Sequence, residues 1–179
     1  MTDELEDQMI AKTEELTEGK KGPEAVAEAT ELSQIDPKDA IVWLVKGKAH
    51  YIDNQFDEAY ACFCKAAEIE RENPQIWQMM GYSLITLNRY DDAEKCLEYV
   101  KAAEPSNVEA ACALGICNIL QNKPQEAKRN IDLALSMGKP TAIAMLEHFH
   151  EKFFAISKET SSRAKAQIER TLETVKLLR

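Results

Sequence analysis

The sequence predicts an all-α protein, a right-handed α-solenoid of antiparallel helix pairs with a C-terminal capping helix. The main observation is a period of about 34 residues, kept by Gly47, Gly81 and Gly115 and by Ala59, Ala93 and Ala127. Such a period is typical of stacked supersecondary units, each of which buries its apolar face against the next. Polar breaks divide each period into two apolar stretches with helical spacing.

Four repeats and an extension divide the chain, and we expect one domain over residues 1–179. The divisions are a degenerate repeat at 6–39, regular repeats at 40–73, 74–107 and 108–141, and an extra helix with the capping helix at 142–179. The first repeat is degenerate because the step back from Gly47 reaches Thr13. Terminal repeats are expected to be atypical since one face meets water.

Each repeat is predicted to be two helices joined by a tight turn. In repeat two, Asp36-Pro37 is expected to open the first helix, since Asp caps free amide groups and Pro suits the first turn. The polar break Asp53-Asn54-Gln55 separates it from the second helix. The corresponding breaks in the next two repeats are Asn88-Arg89 and Asn122-Lys123-Pro124, and repeat four closes at Gly138-Lys139-Pro140.

The two ends of the chain differ from the middle. Residues 1–18 are predicted to form an acidic helix whose apolar stripe is limited to Leu5, Met9 and Leu16. After Pro140 an apolar helix is predicted, then a polar break, then a last helix that carries the apolar stripe Ile168, Leu172, Val175 and Leu178. We expect this last helix to cap the preceding one; the alternative is that its apolar stripe is a dimer seam.

Small residues recur where two helix axes must come close. A mid-helix Gly costs about 1 kcal/mol relative to Ala, so keeping it three times indicates close packing. The predicted core is Trp43, Gly47, Ala59, Phe63, Ala66, Trp77, Met80, Gly81, Ala93, Leu97, Leu114, Gly115, Ala127, Ile131 and Ala134.

The pattern resembles the tetratricopeptide repeat, whose 34-residue signature has Trp, Leu-Gly, Tyr, Ala, Phe and Pro at fixed offsets. Trp77, Gly81, Tyr90, Ala93 and Leu97 carry the best match, and the resemblance covers roughly residues 6–141. The departures are Lys46 in place of Leu, Ala111 in place of Trp, and Pro124 in place of an aromatic residue.

Charge is uneven along the chain, whose formal net charge is −9. Residues 1–36 contain eleven acidic and three basic side chains, a net charge of −8, whereas residues 151–179 contain seven basic and four acidic ones, a net charge of +3. An acidic body disfavours phosphate backbones, so no nucleic-acid partner is expected. The basic segment is interpreted as a solvated helix face.

Three features of the sequence bear on the cellular compartment of the protein: its amino terminus, the length of its apolar stretches and its cysteines. The acidic amino terminus lacks the basic segment and apolar core of a signal peptide. The longest uncharged stretch, Ala110–Gln121, is too short to span a bilayer, so no membrane insertion is expected. Five cysteines without paired spacing suit a reducing compartment. We therefore expect a cytoplasmic protein.

Catalytic patterns are not recognisable in the sequence, and we predict that the chain is not an enzyme and uses no cofactor or metal. Cys62 and Cys64 would point to nearly opposite sides of a helix and could not chelate one metal. His148 and His150 also face different ways, and their spacing differs from the His-Glu-x-x-His of zinc enzymes. Glycine-rich phosphate loops and nucleophile elbows do not occur.

The resemblance implies a concave groove, lined by the first helices of successive repeats, that holds an extended or helical peptide. By position, its lining is Ile41, Leu44, Lys48, Tyr51, Ile52, Gln75, Gln78, Tyr82, Ile85, Thr86, Glu109, Cys112, Ile116, Ile119 and Leu120. Spacings of three and four put each set on one helix face. The apolar members have a second interpretation, that they belong to the core or are covered by the chain's own tail.

Specific expectations attach to this groove. Apolar anchors of a ligand should meet Leu44, Ile52, Tyr82, Ile85, Ile116 and Leu120. Lys48 should pair with an acid on the ligand, and Tyr82 has the profile of a binding hot spot. The clamp by which co-chaperones grip the carboxylate tail of heat-shock chaperones is not expected, because acidic and apolar residues stand at its positions. Bacterial secretion chaperones with three such repeats are a closer analogy, by architecture alone.

The favoured function is therefore a non-catalytic protein–protein interaction module: an adaptor, scaffold or chaperone-like protein that binds a peptide or helix in the groove. The alternative is a self-assembling oligomer, such as a homodimer, formed through the C-terminal helix or by end-to-end stacking of repeats.

Overall fold

The computed structural model describes residues 2–156 together with Ala166, Glu169, Arg170 and Glu173. Within these residues the secondary structure consists of eight helices and no strand, which confirms the all-α fold class. The helices are α1 (Thr2–Glu18), α2 (Gly22–Ile35), α3 (Ala40–Ile52), α4 (Phe56–Ile69), α5 (Pro74–Thr86), α6 (Tyr90–Ala103), α7 (Val108–Leu120) and α8 (Pro124–Ile156). The stripe of the predicted capping helix lies outside the described residues.

Helix α8 contains a kink at Gly138, whose backbone is non-helical (φ −162°, ψ 79°). The kink falls at the Gly138-Lys139-Pro140 break that the sequence predicts. We call the part before it α8a (residues 124–137) and the part after it α8b (residues 139–156). Segment α8a is the second helix of repeat four, and α8b is the predicted extra helix.

The first helices of repeats two to four begin with the same kind of cap. Asp39, Asn73 and Asn107, which are one period apart, accept a hydrogen bond from the backbone N–H of Ile41, Gln75 and Ala110 respectively. Each cap satisfies one of the amide groups that a helix start leaves without a partner.

The expected start of α3 at Asp36-Pro37 is wrong. Helix α3 begins at Ala40, and Asp39 rather than Asp36 is its cap. The Asp36 carboxylate instead accepts a hydrogen bond from the backbone N–H of Lys38 in the preceding turn. Two Asp residues stand three positions apart here, and helical spacing alone does not decide between them.

The turns inside the repeats are also periodic. Lys20, Asn54, Asn88 and Asn122 follow one another at the same period, and their φ angles are 55°, 61°, 59° and 60°. This left-handed region is tolerated by Asn better than by most residues with a side chain. The polar breaks seen in the sequence are therefore turns built around one left-handed residue.

The described chain divides into two compact units, Met1–Leu87 and Asn88–Arg179. In the N-terminal unit the ring of Phe63 fills the space where Gly47 would carry a Cβ. In the C-terminal unit Ile131 occupies the same place against Gly115. Gly47 and Gly115 therefore lie where a side chain of the paired second helix leaves no room for a Cβ, in agreement with the close packing that the sequence predicts.

Thirteen of the fifteen predicted core residues are buried, which confirms most of the predicted core. The exceptions are Trp43 and Trp77, which are half-buried. Their indole Nε1 groups donate to the backbone carbonyls of Pro37 (2.8 Å) and Arg71 (2.6 Å). Each Trp therefore keeps its polar edge at the preceding turn, where a backbone carbonyl accepts a hydrogen bond from the indole N–H.

Candidate functional site

In the N-terminal unit the first helices are α1, α3 and α5, and α3 contacts both α1 and α5. Glu14, Lys48 and Tyr82 occupy equivalent positions, one period apart, on these helices. Ile41 and Gln75 hold another shared position, one residue into α3 and α5, where the Asx caps fix the start of each helix. We call the surface carrying Glu14, Ile41, Lys48, Gln75, Gln78 and Tyr82 the first-helix face.

Exposure differs among the predicted groove residues. Ile41 is 46% exposed, which is high for a large apolar side chain, and Gln75 and Glu109 are exposed as well. The half-buried residues of the set are Lys48, Tyr51, Ile52, Gln78, Tyr82, Thr86 and Leu120. The buried ones are Leu44, Ile85, Cys112, Ile116 and Ile119.

The predicted anchors Leu44, Ile85 and Ile116 need correction on this point. Their exposed fractions are 3%, 4% and 2%, so a ligand does not reach them without a rearrangement of the core. Cys112 is likewise fully buried. The position of a residue on a helix does not by itself show whether a neighbouring helix covers it.

In the C-terminal unit the covering element is α8. Cys112, Ile116 and Ile119 belong to one core cluster with Ala142 and Leu146 of α8b. The Cys112 thiol lies 3.7 Å from the carbonyl oxygen of Ala142. The chain's own extra helix therefore packs on the face of α7 that the sequence assigns to the groove, as the second interpretation allowed.

Lys48 has a partner within the chain. Its ammonium group lies 3.3 Å from the carboxylate of Glu14 on α1, with the two side chains 21% and 47% exposed. The predicted pairing of Lys48 with a ligand acid therefore competes with this ion pair. Pairs this exposed contribute little to stability, about 0–1 kcal/mol, so exchange for a ligand carboxylate is energetically accessible.

Hydrogen bonds order the polar side chains of α5. The Gln78 amide donates to the Tyr82 hydroxyl (2.8 Å), and the Thr86 hydroxyl donates to the Tyr82 carbonyl (3.0 Å). The Tyr51 hydroxyl on α3 is hydrogen-bonded to Thr86. Burial raises the pKa of Tyr51, and the bond to Thr86 opposes that rise in part. Tyr51 is therefore a neutral hydroxyl that ties α3 to α5.

An aromatic–lysine contact in the N-terminal unit was not anticipated from the sequence. The ammonium groups of Lys65 and Lys46 lie 4.0 and 5.5 Å from the centre of the Trp43 ring. Lys46 also donates to the hydroxyl of Ser33 (2.9 Å). Contacts of this kind stabilise by about 0.5–1 kcal/mol at exposed sites. Lys46, a departure from the repeat pattern, is the signal that could have indicated it.

The five cysteines form no disulfide bond, and burial raises the pKa of three of them, Cys62, Cys112 and Cys117. Burial, with the nearby Glu109 carboxylate, raises the pKa of Cys112 to about 12. Burial, with Glu94 as the next cause, likewise raises the pKa of Cys117 to about 12. A nucleophilic cysteine needs a lowered pKa, so these two thiols act as packing groups.

Within the described residues, no group of three or more His, Cys, Asp or Glu side chains is placed to hold a metal ion. None of the described helices combines the length and apolar character needed to cross a bilayer.

Two family models match the chain. The model described as anaphase-promoting complex, cyclosome, subunit 3 matches residues 24–100, and the model described as tetratricopeptide repeat matches residues 79–128. Together the two ranges include the periodic caps at Asp39, Asn73 and Asn107 and the left-handed turns at Asn54, Asn88 and Asn122. The chain belongs to the tetratricopeptide repeat family. No curated protein sequence matches it.

Several solved structures share the fold at low sequence identity. The MamA RS-1 ArsTM double mutant is 16% identical, with a TM-score of 0.71 and coverage of 97% of this chain and 95% of that one. YrrB, described as a TPR protein with an unusual peptide-binding site, is 18% identical, with a TM-score of 0.65 and coverage of 95% and 89%.

The first TPR of Spaghetti (RPAP3), solved bound to the HSP90 peptide SRMEEVD, is 17% identical, with a TM-score of 0.57 and coverage of 80% of this chain and 94% of that one. At such identities the likeness shows the fold alone. Family membership does imply a protein that interacts with other proteins.

Proposed function

We propose that this tetratricopeptide repeat protein is a non-catalytic adaptor or scaffold, of a chaperone-like kind, that binds a peptide or helix of another protein. The proposed site is the first-helix face of the N-terminal unit. The observation that carries the proposal is Ile41, which is 46% exposed beside the polar side chains of the same face. An exposed large apolar residue on a face that also carries amide and tyrosine side chains suits recognition of a peptide with one apolar anchor.

The revised site differs from the groove expected from the sequence. It keeps Ile41, Lys48, Ile52, Gln75, Gln78 and Tyr82, and it leaves out the buried residues Leu44, Ile85, Cys112 and Ile116. Leu120 lies on α7, in the C-terminal unit, and is half-buried there. Tyr82 stays the proposed hot spot, since an aromatic ring with a polar tip fits that profile.

The proposal is tested with peptides selected from a displayed random library against the purified chain. Ile41→Asp should weaken binding of the selected peptides about tenfold or more, and Tyr82→Ala should do the same. The matched control is Ile69→Asp, because Ile69 is 45% exposed but lies at the end of α4, a second helix. Equal binding by Ile41→Asp and Ile69→Asp, both folded by circular dichroism, would place the ligand on another surface.

Self-assembly is the competing proposal and depends on the C-terminal segment. Its predicted seam over Ile168–Leu178 lies outside the described residues. Light scattering at several concentrations separates the two proposals. A dimer that disappears when residues 158–179 are deleted would favour assembly over peptide binding. A cytoplasmic location, which we also propose, agrees with five free thiols.

A further inference from the structure

A hydrogen-bonded chain of side chains connects three helices of the C-terminal unit. Lys101 on α6 donates to the amide oxygen of Asn130 on α8a (3.3 Å), and the Asn130 amide nitrogen donates to the amide oxygen of Asn118 on α7 (2.9 Å). The Asn118 amide nitrogen donates to the carboxylate of Glu94 on α6 (3.0 Å). We call these four residues the amide chain.

The two asparagines are buried, whereas the charged ends of the amide chain reach solvent. Asn118 is 1% exposed and Asn130 is 8% exposed. Lys101 also pairs with Glu98 (2.9 Å), and Glu94 also accepts from Lys123 (2.7 Å) and from Gln121 (3.0 Å). Each charged end therefore keeps a second partner outside the amide chain.

The charged ends fix the direction of both amides. Lys101 can only donate, so the oxygen of Asn130 must face it and its nitrogen must face Asn118. The Glu94 carboxylate can only accept, so the nitrogen of Asn118 must face it. This is the one orientation in which all four groups are satisfied, and reversal of either amide would bring two donors or two acceptors together.

Equivalent positions in the other repeats carry different residues. One period back from Asn118 and Asn130 the sequence has Leu84 and Cys96, and two periods back it has His50 and Cys62. Repeat four is therefore the one regular repeat with an amide at both positions. An α7 paired with a second helix carrying Cys at this place would leave the amide oxygen of the buried Asn118 without its Asn130 donor, which is unfavourable.

We propose that the amide chain is a pairing-selectivity device, which makes α7 accept α8a and reject the similar second helices of the other repeats. Repeats of one period offer nearly interchangeable apolar surfaces, so apolar packing alone discriminates poorly between correct and shifted pairings. A buried polar contact that only the correct neighbour satisfies discriminates well, and its best-attested use is to set register. The device therefore gives selectivity and does not add stability.

The test replaces both asparagines by the residues of repeat three, in the variant Asn118→Leu/Asn130→Cys. In the double variant the ion pairs of Lys101 with Glu98 and of Glu94 with Lys123 remain, so neither charged side chain of the amide chain loses all of its partners. The single variants Asn118→Leu and Asn130→Cys should each lower the denaturation midpoint. Each removes the hydrogen bond between the two asparagines and leaves a buried polar atom of the remaining one without that partner. The double variant should regain most of that loss.

Selectivity is measured by NMR, as the number of backbone amide signals per residue after refolding from denaturant. Wild type should give one set, whereas the double variant should give additional sets for residues of α6, α7 and α8a, with shifted pairings populated at least about tenfold more than in wild type. The control Leu114→Met/Ile131→Val repacks the α7–α8a contact without touching the amide chain and should keep one set.

Two outcomes would overturn the proposal. A stable double variant with a single set of signals would show that apolar packing alone selects the pairing. A double variant that fails to fold would show that the amide chain acts on stability rather than on selectivity.

Discussion

At the scale of single residues, the glycines of α3 and α7 are explained by the side chains opposite them. The ring of Phe63 lies against Gly47, and a Cβ built on Gly47 would overlap that ring. Ile131 lies against Gly115 in the same way. An interior glycine weakens a helix by about 1 kcal/mol relative to Ala, so it persists where a larger residue would separate the helices.

We expect Gly47→Ala to lower the free energy of unfolding by about 1–2 kcal/mol, because overpacking outweighs the gain in helix propensity. Chemical denaturation followed by circular dichroism measures the change. In a Phe63→Leu background, where the ring is absent, the same substitution should be close to neutral. An unchanged penalty in that background would mean that Phe63 is not the cause.

The sequence predicts the surroundings of a residue well when they follow from the repeat period, and poorly when they depend on an element outside it. The glycine contacts follow from the period itself, since a small residue kept at one position indicates close approach. The burial of Ile116 does not, because it depends on α8b, which has no counterpart in the period. One sequence signal was available: α7 carries no charge from Ala110 to Leu120, and a helix apolar on all sides is a buried helix.

At the scale of elements, the turns repeat as regularly as the helices. Lys20, Asn54, Asn88 and Asn122 all have left-handed backbone, and only the first carries a side chain poorly suited to it. The sequence shows the polar breaks but not this geometry, because Asn is common in several kinds of turn. The degenerate first repeat thus keeps the turn of the family while losing its preferred residue.

Lys20→Gly should therefore raise the free energy of unfolding by about 0.5–1 kcal/mol, since glycine takes up left-handed backbone without the penalty borne by Lys. Thermal and chemical denaturation measure the gain. The control is Lys21→Gly, because Lys21 has an ordinary φ of −93° at the start of α2 and is equally exposed. A control as stabilising as Lys20→Gly would attribute the gain to lost charge and not to backbone geometry.

At the scale of the whole molecule, the sequence predicts a single domain, whereas the structure divides into two compact units, Met1–Leu87 and Asn88–Arg179. The division falls between α5 and α6, the two helices of repeat three, so it separates halves of one repeat rather than two repeats. Repeat arrays are stabilised by interfaces between neighbouring helices, and they unfold together when those interfaces are strong relative to each repeat. The single domain predicted from the sequence corresponds to one cooperative transition, whereas two independent units correspond to two.

Paired glycine substitutions test this expectation, because each places a known defect in one unit. Gly47→Ala disturbs the N-terminal unit and Gly115→Ala the C-terminal unit. In one cooperative domain, either substitution should shift the whole transition to lower denaturant, with the same midpoint by far-UV circular dichroism and by tryptophan fluorescence, whose probes Trp43 and Trp77 both lie before residue 88. If the units unfold separately, Gly115→Ala should leave the fluorescence midpoint unchanged while it broadens the circular dichroism transition.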